Sequence, residues 1–263
     1  MVRGLYTACT GMINEQNRMD ILTNNLANST TNGYKKEGST SEAFSSLLAY
    51  RIKDQTGIGV NTQRIGSVSL GVKIGEGYTD YTQGSFKQTD NTFDLALSGD
   101  GFFSVEFTNK AGETSTKYTR DGSFTMNQEG YLVNTNGDYL LGTNENGATV
   151  RIQVDPNATI TIDKSGLIFE NGVPTEQLLI TNFADYNYLE KYGENYYQAV
   201  EGAEMAEPDV QVYQGYLEAS NVSIVTEMVD MISVTRAYET NQKVIQTMDT
   251  TLDIAVNQIG KVR

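Results

Sequence analysis

A chain of 263 residues with 38% hydrophobic content is long enough to bury at least one core, and its 33 Asp and Glu against 19 Lys and Arg leave a net charge of −14. Such a surface repels phosphate backbones and anionic lipid, which argues against nucleic acid or a membrane surface as a partner. Histidine is absent and Cys9 is the single cysteine, so the usual general base, the His-paired nucleophiles, an internal disulfide and a thiolate zinc cluster are all missing.

The chain opens with a helical pattern from Val2 to Asn28. Leu5, Met12, Met19 and Leu26 recur every seventh residue, with Ala8 and Leu22 on companion positions, which defines one narrow apolar seam. Cys9 sits among these helix-spaced residues and reads as a small packed side chain. Gly4 and Gly11 each cost about 1 kcal/mol relative to alanine inside a helix, and Thr7, Thr10, Asn14, Asn17 and Thr23 add smaller penalties. A helix this weak is expected to be disordered in the free monomer and to fold against partners.

Residues 36–75 form a connecting arm. Within it Glu42 to Ile52 suggests a short helix through Phe44, Leu47 and Leu48, while Thr56 to Leu70 looks extended. From about Gly71 to Gly215 the chain alternates β-prone runs, such as Phe102 to Phe107 and Thr159 to Ile162, with turn dipeptides. The dipeptides Asp100-Gly101, Asp121-Gly122, Asn136-Gly137, Asn146-Gly147 and Asn171-Gly172 are each suited to the positive φ of tight hairpins.

The last segment, about Ser220 to Gly260, repeats the seven-residue period through Ile224, Met231, Tyr238, Ile245, Leu252 and Ile259. Forty residues of helix would run about 60 Å, more than a globular core requires. The companion stripe, Glu227, Val234, Asn241, Met248 and Ala255, is mixed. A polar member such as Asn241 suggests register specification or more than one neighbouring helix. The expected fold class is α+β, with long N- and C-terminal helices pairing as a coiled-coil-like domain and a mainly antiparallel β domain inserted between them. The expected organisation is an N-terminal helix in 1–35, the arm in 36–75, a central β domain in 76–215 and a C-terminal helix in 216–263. The interface residues expected from the period are Leu5, Met12, Met19, Leu22, Leu26, Ile224, Met231, Tyr238, Asn241, Ile245, Leu252 and Ile259.

Catalytic motifs are wanting. Gly71 to Gly77 has neither the Gly-Lys-Ser/Thr ending of a phosphate-binding loop nor the spacing of a dinucleotide turn. Asn134 to Asp138 and Asn144 to Gly147 lack the acidic ladder of a calcium loop and read as hairpin turns. Carboxylates such as Asp94, Asp100 and Asp121 could serve a glycosidase only if the fold set two of them across one cleft. The reading is a protein that is not an enzyme, with no catalytic, cofactor-binding or metal residues. The first residues lack the apolar run of a secretory signal, and no stretch offers the about 18 apolar residues of a membrane span, which alone suggests a cytoplasmic protein.

At the end of the first helix stand Asn24, Asn25, Leu26, Ala27 and Asn28, followed by Ser29 to Asn32 and then Gly33, Tyr34, Lys35 and Lys36. This string resembles the signature of the bacterial flagellar rod and hook family, although Ser29 and Asn32 stand where members often carry other residues. Leu95 to Phe103, Tyr118 to Phe124, Gln214 to Val222 and Arg236 to Asn241 resemble further blocks of the same family, so the resemblance runs from end to end. It implies a structural subunit of the basal-body rod, most like a distal rod subunit, that polymerises helically and transmits motor torque to the hook. Its partners would be other copies of itself, neighbouring rod and hook proteins and the flagellar type III export apparatus, with no cofactor and no small-molecule substrate. It also implies export without a cleaved signal, which would account for the missing secretory sequence. The competing class is a free envelope binding module whose terminal helices close into a local bundle.

Overall fold

A computed structural model describes residues 2–44, 47–52, 62–69, 71–110, 112–144 and 147–259. The chain divides into two compact units: unit 1 holds Met1–Ala27, Glu37–Asp80 and Ser223–Arg263, and unit 2 holds Asn28–Lys36 and Tyr81–Val222.

In unit 1, helix α1 (Val2–Ala27) is followed by four strands, β1 (Glu37–Ala43), β2 (Leu47–Ile52), β3 (Thr62–Val68) and β4 (Val72–Thr79), and the unit is completed by helix α2 (Ile224–Ile254). No Gly or Pro interrupts α2, and its threonines beyond Thr226 return their hydroxyls to backbone carbonyls one turn back, as Thr235 does to Met231 at 2.8 Å. Strand β1 pairs antiparallel with β4 from Glu37↔Thr79 to Ala43↔Val72, with a bulge between Ser39 and Ser41. Strands β2 and β3 make a separate antiparallel ribbon, Leu47↔Val68 to Ile52↔Thr62. The short helix expected over Glu42 to Ile52 is therefore corrected: Glu42 and Ala43 end β1 and Leu47–Ile52 is β2, while residues 45–46 lie outside the described residues. Pairing with β4 at Glu42 and Ala43, and with β3 along Leu47–Ile52, supplies ladder hydrogen bonds that outweigh the local helical preference of the segment. Of the extended stretch expected from Thr56 to Leu70, residues 56–61 and 70 lie outside the described residues.

The coiled-coil-like pairing of the terminal helices is also corrected. Helices α1 and α2 lie alongside one another, but the contact is not an apolar seam. The buried residues of α2 are Glu227 and Val234, and those of α1 are Ala8, Asn14 and Asn25. At Gly4 an added Cβ would stand 2.4 Å from the Met248 side chain, and at Gly11 2.9 Å from that of Asn241. Glycine and asparagine at the points of closest approach provide no knobs to fill holes. Part of the inner surface of α1 is given to strands instead, with Asn14 Nδ2 donating to Ser41 Oγ at 3.2 Å.

Unit 2 is built from β5 (Phe86–Gln88), β6 (Leu95–Asp100), β7 (Phe102–Thr108), β8 (Thr114–Thr119), β9 (Thr125–Met126), β10 (Leu132–Val133), β11 (Tyr139–Thr143), β12 (Thr149–Arg151), β13 (Ile160–Ile162), β14 (Leu167–Glu170), β15 (Val173–Leu178), β16 (Ile180–Phe183), β17 (Leu189–Gly193), β18 (Tyr196–Ala199), β19 (Met205–Ala206), β20 (Asp209–Gln214) and β21 (Tyr216–Glu218). The main sheet runs β13-β14-β15-β11-β7-β8-β18-β17, and its pairings are antiparallel. Two ribbons bring the end of the unit back to its beginning, β20 on β6 and β21 on β5. Leu95, Phe103, Val105, Phe124, Leu140, Ile152 and Ile168 lie in the larger core, and Phe102, Tyr118, Phe183 and Tyr197 in a smaller aromatic one.

The turn dipeptides divide into two kinds. Gly137, Gly147 and Gly172 take positive φ, and Asn171 joins Gly172 in the two-residue turn between β14 and β15. Gly101 and Gly122 do not, which corrects the expectation that Asp100-Gly101 and Asp121-Gly122 are tight hairpin turns. Gly122 is needed for space, since a Cβ there would lie 1.7 Å from the Leu95 carbonyl oxygen. Asn146 lies outside the described residues.

Candidate assembly surface

Among the described residues, unit 1 offers an exposed apolar helix face. Along α2, Val225, Val229 and Ile232 follow one another at helical spacing and are 73%, 60% and 54% exposed. Met228 and Ile224 flank them, and Tyr6 and Ile13 are exposed on α1. Scattered apolar residues at a surface need no explanation, whereas a row of β-branched residues along one helix marks an interaction face. Apart from Ile224, the residues expected from the seven-residue period lie elsewhere on the helices. Leu5, Met12, Met19, Leu22 and Leu26 of α1, and Met231, Tyr238, Asn241 and Ile245 of α2, are partly buried, while Ile224 and Leu252 are exposed. Ile259 closes a single π-helical turn, Ala255–Ile259, after α2. Sequence reasoning missed Val225, Val229 and Ile232 because it followed one stripe; the signal was present in a helix that is apolar on two faces.

The signature string divides between the two units, and each part has a mechanical role. Asn25 is fully buried in unit 1, where its amide mimics a strand neighbour. Its Nδ2 donates to the Glu37 carbonyl at 2.8 Å, and its Oδ1 accepts the Glu37 N–H at 2.9 Å. The same Nδ2 donates at 3.3 Å to Glu227, a fully buried carboxylate in the first turn of α2. One side chain thus fixes the start of β1 and the root of α2 to α1. Asn24 and Ala27 are exposed, and Leu26 and Asn28 partly buried.

In unit 2, Gly33, Tyr34 and Lys35 are buried. Gly33 takes φ 66°, and a Cβ would meet the Arg120 backbone at 2.4 Å. Its N–H donates to the Glu218 carbonyl at 2.8 Å. Lys35 Nζ donates to Glu218 Oε1 at 2.6 Å, and Arg120 Nη1 to Glu218 Oε2 at 3.2 Å. All three side chains are at most 3% exposed. The Gly84 N–H also donates to Glu218 Oε1, at 2.9 Å, and Arg120 reaches the carbonyls of Leu97 and Gly99. Beside this node the Lys36 N–H donates to Asn221 Oδ1 at 2.8 Å. The segment entering the β unit and the segment leaving it are therefore fastened to one another through a two-cation, one-anion cluster. A sequence reader could see Lys35 in its motif, but Arg120 and Glu218 are distant in the chain, and nothing in a sequence pairs them.

The comparisons with known proteins fall on these same segments. Residues 5–35 match the family described as Flagella basal body rod protein, residues 96–169 the Flagellar hook protein FlgE/F/G D1 domain, and residues 213–259 the Flagellar basal body rod FlgEFG protein C-terminal. The chain is 33% identical over 276 residues to the flagellar hook-basal body complex protein FlhO of Bacillus subtilis, covering 100% of both. The chain belongs to the flagellar basal-body rod and hook family. It is also 30% identical to the flagellar basal-body rod protein FlgG of Bacillus subtilis, covering 98% of this chain and 99% of that one. The FlgG of Borreliella burgdorferi is 34% identical, covering 98% of each. The family's rod members are structural proteins, and the three matched regions contain α1 with the Asn25 and Lys35 motif, the core strands of unit 2, and β21 with α2.

Of the carboxylates considered for hydrolytic chemistry, Asp100 ends strand β6, and Asp94 and Asp121 make local turn hydrogen bonds. Asp121 is pushed above the usual carboxylate range by burial, opposed by Ser123, whose N–H and hydroxyl both donate to it. Asp94 accepts from Asn91 at 2.9 Å. Among the described residues no group of three or more Cys, Asp or Glu is placed to hold a metal ion, and no helix is long and apolar enough to cross a membrane.

Proposed function

We propose that this protein is a structural subunit of the flagellar basal-body rod, a distal-rod subunit that polymerises helically and passes motor torque to the hook. The row of exposed Val225, Val229 and Ile232 on α2 carries this reading, because a subunit with an uncovered apolar helix face has its partner in another chain. A helix face that docks onto a different surface of the next copy generates an open helical polymer. The partly buried residues from Leu5 to Leu26 on α1 and from Met231 to Ile245 on α2 hold each copy in shape and border the contact. Neighbouring rod and hook proteins take the two ends of the polymer, and export proceeds through the flagellar type III apparatus without a cleaved signal. Similarity to FlgG proteins along nearly the whole chain supports this assignment.

A second reading, another place in the hook-basal body complex, is favoured by one observation. Within Bacillus subtilis the chain is 33% identical to FlhO and 30% identical to FlgG. Tagged protein in isolated basal bodies separates the readings by its position along the rod. The assembly claim itself is tested by Val225→Asp combined with Val229→Asp. Pelleting of concentrated protein and motility should both be lost, while the near-ultraviolet signal of the unit 2 tyrosines is unchanged. Normal pelleting and motility in that variant would overturn the claim.

A further inference from the structure

The charge of this protein is segregated. Unit 2 has 21 Asp and Glu against nine Lys and Arg, a net of −12, and unit 1 has 12 against ten, a net of −2. Within unit 2 the excess is concentrated between Asp185 and Asp209. All seven carboxylates of this run, Asp185, Glu190, Glu194, Glu201, Glu204, Glu207 and Asp209, are exposed. Its single cation, Lys191, is turned inward: its Nζ lies 4.5 Å from the centre of the Tyr34 ring and donates to the Lys35 carbonyl at 3.1 Å. The run is folded onto itself, with the Val200 N–H donating to the Tyr188 carbonyl and the Ala184 N–H to the Glu204 carbonyl, so the carboxylates are gathered on one part of the unit.

We infer that this acidic face regulates assembly: copies of the chain are drawn together by the nearly neutral, apolar helix faces of unit 1 and held apart by like charge on unit 2, so that cations promote polymerisation. The inference rests on the assembly proposed above and adds its sign. Contacts made by complementary charges weaken as salt rises, whereas a contact opposed by like charges strengthens, because screening shortens the repulsion from about 30 Å at 0.01 M salt to about 10 Å at 0.1 M.

The test is the critical concentration for pelleting of the full chain between 0.01 and 0.2 M sodium chloride, ionic strengths chosen to span that range of screening. It should fall as salt rises. In the variant with Glu201→Gln, Glu204→Gln and Glu207→Gln, the critical concentration at the lowest salt should be roughly threefold to tenfold below that of the parent, because three like charges are removed where screening is weakest. A critical concentration that rises with salt, or a variant that matches its parent at low salt, overturns the inference while leaving the rod assignment standing. Absence of any polymer across the whole range, in parent and variant alike, overturns the assembly reading itself.

Discussion

Glu218→Gln is the sharpest perturbation of the node that closes unit 2. The Glu218 side chain is 1% exposed and pairs with two cations, Lys35 at 2.6 Å and Arg120 at 3.2 Å, while also accepting the Gly84 N–H. The substitution keeps the shape and removes the charge. Lys35 then remains buried beside an amide, and breaking a buried pair by removing one partner costs about 3–5 kcal/mol, because the remaining charge is uncompensated. With an m-value of about 2 kcal/mol per molar urea, the unfolding midpoint should fall by about 2 M. Far-ultraviolet circular dichroism followed through a urea titration measures this. Adding Lys35→Gln to Glu218→Gln removes the stranded cation while Arg120 keeps the Leu97 and Gly99 carbonyls, so the double variant should be more stable than Glu218→Gln alone. A Glu218→Gln midpoint within about 0.3 M of the parent, under the same m-value, would refute the reasoning.

Other residues carry separate expectations. Asn25→Ala removes both bonds to the Glu37 backbone and leaves Glu227 with fewer donors in a buried site. A loss of about 2–4 kcal/mol is expected, read as faster amide exchange at the C-terminal end of α1. Gly33→Ala strains a left-handed residue against the Arg120 backbone and should cost upward of about 1 kcal/mol, visible as a lowered melting temperature. Tyr196 supplies a pH dependence. Burial first, then its hydrogen bond to Asp138, raises its pKa above the ordinary 10.0. Its phenol also accepts from Asn134, and from Asn136 at 3.1 Å. Above pH 10 the native state therefore holds a proton that the unfolded chain has lost, so the stability this group confers is complete below pH 10 and declines as pH rises, by at most about 1.4 kcal/mol per unit. Tyr196→Phe should flatten that alkaline decline; urea midpoints measured at pH 9 and 11 that fall equally in both proteins would contradict it.

Several features of the fold could be read directly from local chemistry. An uninterrupted run without Gly or Pro from Ile224 to Ile254 commits that segment to helix, and Asn136-Gly137 and Asn171-Gly172 commit theirs to turns, because those preferences act within a few residues. The signature from Asn24 to Lys35 was visible as a string, and composition alone excluded histidine and disulfide chemistry. The seven-residue period was also visible, but it implied a coiled-coil-like pairing that the packing does not make. Period reports which residues are apolar, not whether glycine and asparagine will occupy the points of contact.

The tertiary structure decided whatever depends on residues far apart in the chain. It placed Glu42 and its neighbours in a ladder with β4 where local preference suggested helix, and it used Gly122 to admit the Leu95 carbonyl rather than to turn a hairpin. It brought Lys35 and Arg120 onto Glu218, with Lys35 and its partner 183 positions apart in the chain. It also turned Lys191 inward while leaving seven carboxylates in solvent. Pairing energy between distant groups depends on distances that a linear order does not contain, so motif and charge were legible in the sequence while the node, the uncovered face of α2 and the acidic face of unit 2 became visible only in the folded chain.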